Sequence, residues 1–164
     1  MSEVKSIGLS REAWGPRFWK ILHVLAEHSG NQVNQITSND EVDAWILLLK
    51  SQTFVMPCTL CKQHYLEWQN SQKLNGLKEY VGEKRRDWIR KWLWGCHKRV
   101  NETNEKATPG LETLHELYKK QTIEKEYKEL LTMFQAAFNQ QQLKAEDVNR
   151  WKTAVVRLRA MYGL

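Results

Sequence analysis

The sequence predicts an all-α protein, a bundle of four to five helices followed by an additional C-terminal helical extension. Three observations carry this. Apolar residues recur at three- and four-residue intervals through most of the chain, and no segment keeps the alternation of a strand. The 164 residues hold only 8 Gly and 3 Pro, too few for a loop-rich β architecture. With 41% hydrophobic and 27% charged residues, a packed core is feasible and wholesale disorder is excluded. The length suits one domain, or two only if both are small.

Ser10 is placed to cap a first helix whose apolar face runs Trp14, Phe18, Leu22 and Leu25, ending near Ser29-Gly30-Asn31. The polar stretch 31–41 reads as a loop, with Asn39 or Asp40 capping a second helix that carries Val42, Trp45, Ile46 and Leu49. Met56-Pro57-Cys58 reads as the start of a third helix, because proline fits a first turn where its missing N–H is not needed. That helix runs to about Gln69, and a connector over 70–76 leads to a short helix over 77–81. The strongest pattern spans about Glu83 to Thr103, with Trp88, Trp92, Cys96 and Val100 at strict four-residue spacing. Thr108-Pro109-Gly110 breaks it, and Leu111–Lys119 forms a fifth helix. Two further stripes follow: Tyr127, Leu130, Leu131, Phe134 and Phe138, then Val148, Trp151, Val155, Leu158 and Tyr162. The chain thus divides into a body over 8–119 and an extension over 120–164, whose stripes need burial against the body or another chain.

The net charge is +6, from 25 Lys and Arg against 19 Asp and Glu. Such a balance suits an anionic partner, whether nucleic acid, membrane surface or a phosphate-bearing cofactor. The cations concentrate in 83–106 and 120–164, and most are expected to be solvated helix faces. Trp88 and Trp92 lie on the apolar stripe of the basic helix, so they are not displayed for base stacking and no nucleic-acid partner is expected. No apolar run is long enough to span a membrane. Met1–Ser6 has no apolar core of a secretory signal, which leads to the expectation of a reducing, cytoplasmic location.

Cys58-Thr-Leu-Cys61-Lys-Gln-His64 is the sharpest chemical signal. Two thiols at i and i+3 in a helical turn share one face, and a helix N-terminus favours thiolate. The pair is then poised for thiol–disulfide exchange. A zinc-stabilised interaction module using Cys58, Cys61 and His64 is the alternative. Cys96 and His97 complete no shell, because adjacent residues on a helix point about 100° apart. A thioredoxin-like setting is missing because the strands are missing. A dithiol that turns over needs a two-electron acceptor, and a flavin is the natural relay to dioxygen. Tryptophans interleaved with cations between Arg85 and Lys106 offer flat walls and counter-charges for such a group.

Three ordered blocks then resemble one family. Trp14-Gly15-Pro16-Arg17-Phe18-Trp19-Lys20-Ile21-Leu22-His23 is similar to the W-G-x-x-x-W-x-x-L-H opening of the Erv/ALR flavin-linked sulfhydryl oxidases. Pro57-Cys58-Thr59-Leu60-Cys61-Lys62-Gln63-His64-Tyr65 is similar to P-C-x-x-C-x-x-H-F/Y. Trp92 to Asn101, with Lys106 beyond, resembles W-x-x-x-x-H-N-x-V-N-x-x-x-x-K. The resemblance implies a helical bundle that holds FAD beside the cysteine pair. On it, Gly15, Trp19, His23 and His64 would border the cofactor, and His97, Val100, Asn101 and Lys106 would meet its adenine and phosphates, with Trp92 close by. Cys58 would be the interchange thiol that meets substrate, and Cys61 the flavin-proximal thiol. Electrons would pass to dioxygen and give hydrogen peroxide. Implied partners are dithiol protein substrates, a thioredoxin-like or small shuttle protein among them, and a second copy in a homodimer.

The chain departs from the pattern at Lys98, where the family has Asn, and at Asn104, where it has Leu. With 3 cysteines it has neither a second Cys pair nor an extra structural disulfide, which resembles the single-domain versions of large DNA viruses and extends the expected locations to host cytoplasm or virion. Trp14, Trp45, Trp88 and Trp151 are expected in the core, and Cys96 as a small buried hydrophobe.

Overall fold

The computed structural model describes residues 10–164, so the readings at Met1–Ser6 and at the residue 8 boundary lie outside the described residues. The described chain is all-helical: α1 (Arg11–Glu27), α2 (Gln35–Val55), α3 (Thr59–Ser71), α4 (Gly76–Glu79), α5 (Gly82–Thr103), α6 (Leu111–Tyr118), α7 (Glu124–Asn139) and α8 (Ala145–Tyr162). Every helical stripe read from the sequence corresponds to one of these.

Two boundaries correct the reading. The loop expected over 31–41 is mostly helix, because Asn34 rather than Asn39 or Asp40 is the N-cap of α2. Its side-chain oxygen accepts the Ile36 N–H at 2.8 Å. Pro57 stands outside α3 instead of inside its first turn, and Cys58 itself is the N-cap. Ser10 is the N-cap of α1 by position, without a side-chain hydrogen bond.

α5 packs against α1, α6 bridges the two, and α3 and α4 close the side toward α2 and α5. The extension does not stand apart. α7 packs along α1, and α8 makes the most extensive helix pairing in the molecule along α2. Trp45 and Trp151 are fully buried, and Trp14 nearly so. Phe18 and Phe134 both meet the Trp151 ring, at 5.8 and 5.2 Å between centroids, so residues from body and extension share one aromatic core. Burial of each such side chain contributes about 2–3 kcal/mol.

One polar cluster threads this core. The Glu41 carboxylate on α2 is wholly buried. It accepts from Arg85 Nη1 of α5 at 3.0 Å, the Gly30 N–H at 3.1 Å and the Tyr162 hydroxyl of α8 at 2.5 Å. Arg85 also donates to the carbonyls of Ser38 and Tyr80, and the Trp45 indole N–H donates to the Tyr162 oxygen at 2.9 Å. Gly30 has φ +82°, and a Cβ there would stand 2.2 Å from the Gly82 carbonyl oxygen, so the α1–α2 turn seats on the start of α5 only as glycine. Glu41→Ala leaves the Arg85 guanidinium buried without its counter-charge; a loss of about 3–5 kcal/mol in urea unfolding is expected. Glu41→Gln, which keeps shape and one acceptor, should cost less.

Candidate functional site

Arg11, Gly15, Trp19 and His23 recur every four residues and line one edge of α1. His97, Asn101 and Asn104 follow at the same kind of spacing along the C-terminal half of α5. The two edges run antiparallel and meet at both ends. At one end Arg11 Nη1 donates to Asn104 Oδ1 at 2.7 Å. At the other, His23 Nε2 and His97 Nδ1 lie 3.1 Å apart. The result is a strip about 18 Å long, from the 1.5 Å rise over the α1 residues.

The His end of the strip is a stack of flat rings. Trp19 lies on His97 with centroids 4.0 Å apart and planes 5° from parallel. Tyr118 of α6 covers His23 at 5.3 Å and 12°. Burial lowers the His23 pKa to about 3, with the His97 charge adding to it, and burial lowers His97 to about 4. Both imidazoles are neutral at ordinary pH, so within the pair one ring donates and the other accepts. Asn101 donates to Thr108 Oγ1 at 3.0 Å, and its carbonyl accepts the Lys106 N–H at 2.7 Å, which bends the loop after α5 back toward the strip. The Lys106 amine is exposed on that loop, and Val100 is half-buried beside Asn101.

The other end of the strip carries the cysteines. Cys58 and Cys61 are free thiols, both half-buried. Cys58 Sγ accepts the Cys61 N–H at 3.3 Å, so the helix-terminal donor that favours an anion is aimed at Cys58. Cys61 is different. Burial, then the hydrogen bond and charge of Cys58, push its thiol up to about 12, against the opposing pull of the Arg11 guanidinium beside it. The helix terminus alone therefore does not make Cys61 a thiolate in the reduced pair, contrary to the sequence expectation.

Not every expected site residue joins the strip. Trp92 is buried on the other side of α5, where its N–H donates to the Gln72 carbonyl at 2.7 Å and its ring meets Tyr65 and Trp68 edge-on. His64 is half-buried on α3, and among the described residues no hydrogen bond ties it to the strip. Lys98 leans over the Trp94 ring, with Nζ 5.3 Å from the centroid. Sequence reasoning missed two residues. Arg11 was legible as the next step back in the Gly15, Trp19, His23 spacing, whereas Tyr118 gave no local signal, because only the docking of α6 brings it to His23.

A model of the Erv1/Alr family matches residues 16–127. The chain belongs to the Erv1/Alr family. Most of α7 and all of α8 lie beyond the family match. The chain is also similar to a FAD-linked sulfhydryl oxidase of African swine fever virus (isolate Pig/Kenya/KEN-50/1950), at 26% identity over 91 residues. That similarity covers 54% of this chain and 66% of the viral one, just under two thirds of its length. No solved structure is significantly similar to the chain. Among the described residues no group of three or more His, Cys, Asp or Glu is placed to hold a metal ion, which leaves the zinc alternative without a ligand set.

The strip fits a flavin nucleotide on its own chemistry. A Cβ added at Gly15 meets only Arg11 Cγ, at an ordinary 3.8 Å, so no packing partner in the chain demands glycine there. Parallel rings and neutral imidazoles offer flat, uncharged walls, while Arg11 and Lys106 supply cations.

The buried histidines also set an acid limit. Both titrate near 6.5 when unfolded and well below that when folded, so the unfolded chain binds more protons in between. Stability should fall as pH drops from about 6.5 toward 4, by up to about 1.4 kcal/mol per pH unit for each histidine. Urea midpoints between pH 7 and 4.5 check this, and His97→Gln should flatten the slope.

Proposed function

We propose that this chain is an FAD-dependent thiol oxidase that forms disulfides in protein substrates and passes the electrons to dioxygen as hydrogen peroxide. The observation that carries the reading is the juxtaposition at Arg11. That residue ties the cysteine turn of α3 to the α1 edge holding Gly15, Trp19 and His23, and to Asn104 on α5. A dithiol that ends a flat-walled, cation-tipped strip is placed to hand two electrons to a flat acceptor.

Gly15, Trp19, His23 and Tyr118 would line the cofactor, with His97, Val100, Asn101 and Lys106 toward its adenine and phosphates. His64 and Trp92 are assigned to the cofactor's surroundings by the family pattern alone. When bound, FAD supplies a two-electron acceptor that dioxygen can reoxidise. The chain's own groups do the rest. Cys58, held by the helix terminus, exchanges with a substrate dithiol, and Cys61 is the thiol left facing the strip. Arg11 favours the Cys61 anion against burial, and the neutral His23–His97 pair keeps extra positive charge away from the ring wall.

Among the described residues no helix is long and apolar enough to cross a membrane. The homodimer that the resemblance implied would use surfaces other than those of α1 and α2 already covered by α7 and α8.

Purified protein incubated with FAD should turn yellow and consume dioxygen with dithiothreitol. Cys61→Ala should keep the colour and lose at least about a thousandfold in turnover, a loss of the size seen when a covalent catalytic group is removed. Colourless protein, or full turnover in Cys61→Ala, overturns the reading.

A further inference from the structure

The elbow between α2 and α3, where Cys58 sits, carries two exposed apolar side chains. Phe54 is 53% exposed although both its neighbours, Thr53 and Val55, are buried. Leu60, two residues past Cys58, is 52% exposed at the start of α3. An exposed apolar residue alone means little, since much of any protein surface is apolar. Three features set these two apart.

Both lie within four residues of Cys58, so chain reach alone keeps their Cα atoms within about 14 Å of it. Phe54 is held out by the buried residues beside it, not by a loose loop, so covering it costs little ordering. The charge is also one-sided. Between Asp43 and Glu67 there is no acidic residue, and the charges present are Lys50, exposed one turn before Phe54, and Lys62 beside Cys61. A polypeptide whose sulfur reaches Cys58 comes within side-chain reach of this elbow.

We propose that Phe54 and Leu60, flanked by Lys50 and Lys62, form the docking surface that selects the substrate of Cys58: a cysteine-bearing polypeptide segment with apolar, non-basic residues beside its thiols. This rests on the thiol-oxidase reading. A substrate thiolate attacks Cys58 Sγ of the Cys58–Cys61 disulfide, forming a mixed disulfide and releasing the Cys61 thiolate. The second substrate thiol, deprotonated, attacks the substrate sulfur of that bond and releases Cys58. Two electrons and two protons pass from the substrate to the cysteine pair, and the substrate gains its disulfide. The apolar neighbours of the substrate cysteines bury Phe54 and Leu60 while the exchange proceeds.

The test uses the full FAD-loaded chain and four reductants: dithiothreitol, a reduced two-cysteine peptide with Leu and Phe flanks, the same peptide with Ser flanks, and a folded reduced thioredoxin-like protein. The apolar-flanked peptide should exceed the Ser-flanked one in kcat/KM by about tenfold, the lower range for one apolar contact in a recognition pocket. A Phe54→Ser, Leu60→Ser double substitution should abolish that ratio through KM and keep the dithiothreitol rate within about twofold. Equal kcat/KM for the two wild-type peptides overturns the docking surface, as does a ratio that survives the double substitution. A preference for the folded protein that survives it does the same. So does a wild-type dimer that the double substitution converts to monomer, since the patch is then an interface between copies. No dithiothreitol oxidation by the FAD-loaded wild type overturns the thiol-oxidase reading itself.

Discussion

A buried carboxylate is costly unless every face of it is answered, and Glu41 is answered from three directions. Arg85 reaches it from α5, Gly30 from the end of the α1 turn and Tyr162 from the last turn of α8. Since α2 carries the charge, these bonds join the turn after α1 and the start of α5 at one point. The same two helices bring His23 to His97.

Within the strip, neutrality is the governing property. Two imidazoles in hydrogen-bond contact between Trp19 and Tyr118 can share one proton and cannot easily hold two, and burial enforces this. The cations stand at the strip's end or on its loop, as Arg11 and Lys106. Flat, uncharged walls at one end and cations at the other end and on the adjoining loop match a group that joins flat rings through an anionic link. The thiols lie at the Arg11 end, where a guanidinium opposes the rise that burial imposes on Cys61.

Much of this was legible in the residues. Helix content followed from period and from the scarcity of Gly and Pro. The cysteine turn, and the Gly15, Trp19, His23 and His97 edge, followed from spacing plus resemblance. What escaped has physical reasons. The start of α2 was hidden because three polar residues could each cap it, and only Asn34 has the extended backbone that does so. Trp92 shares its stripe with core residues, and spacing alone cannot say whether an indole on a buried face meets a cofactor or a neighbouring Trp. Tyr118 and the Glu41 cluster depend on long-range packing, which leaves no trace in local sequence. The Cys61 thiol was read from its position on the helix, whereas its burial and the Cys58 sulfur dominate.

The mismatch between where family likeness stops and where the core stops has a practical meaning. Likeness ends at residue 127, inside α7, yet Trp151 shares its aromatic contacts with Phe18 and its indole N–H donates to the buried Gln52 at 2.8 Å. Ancestry and foldability draw different borders through this molecule. The matched part holds the cysteine turn and the strip, while the helices beyond it complete the hydrophobic core. Two helices that read as an extension along the sequence are, in three dimensions, a wall of the house.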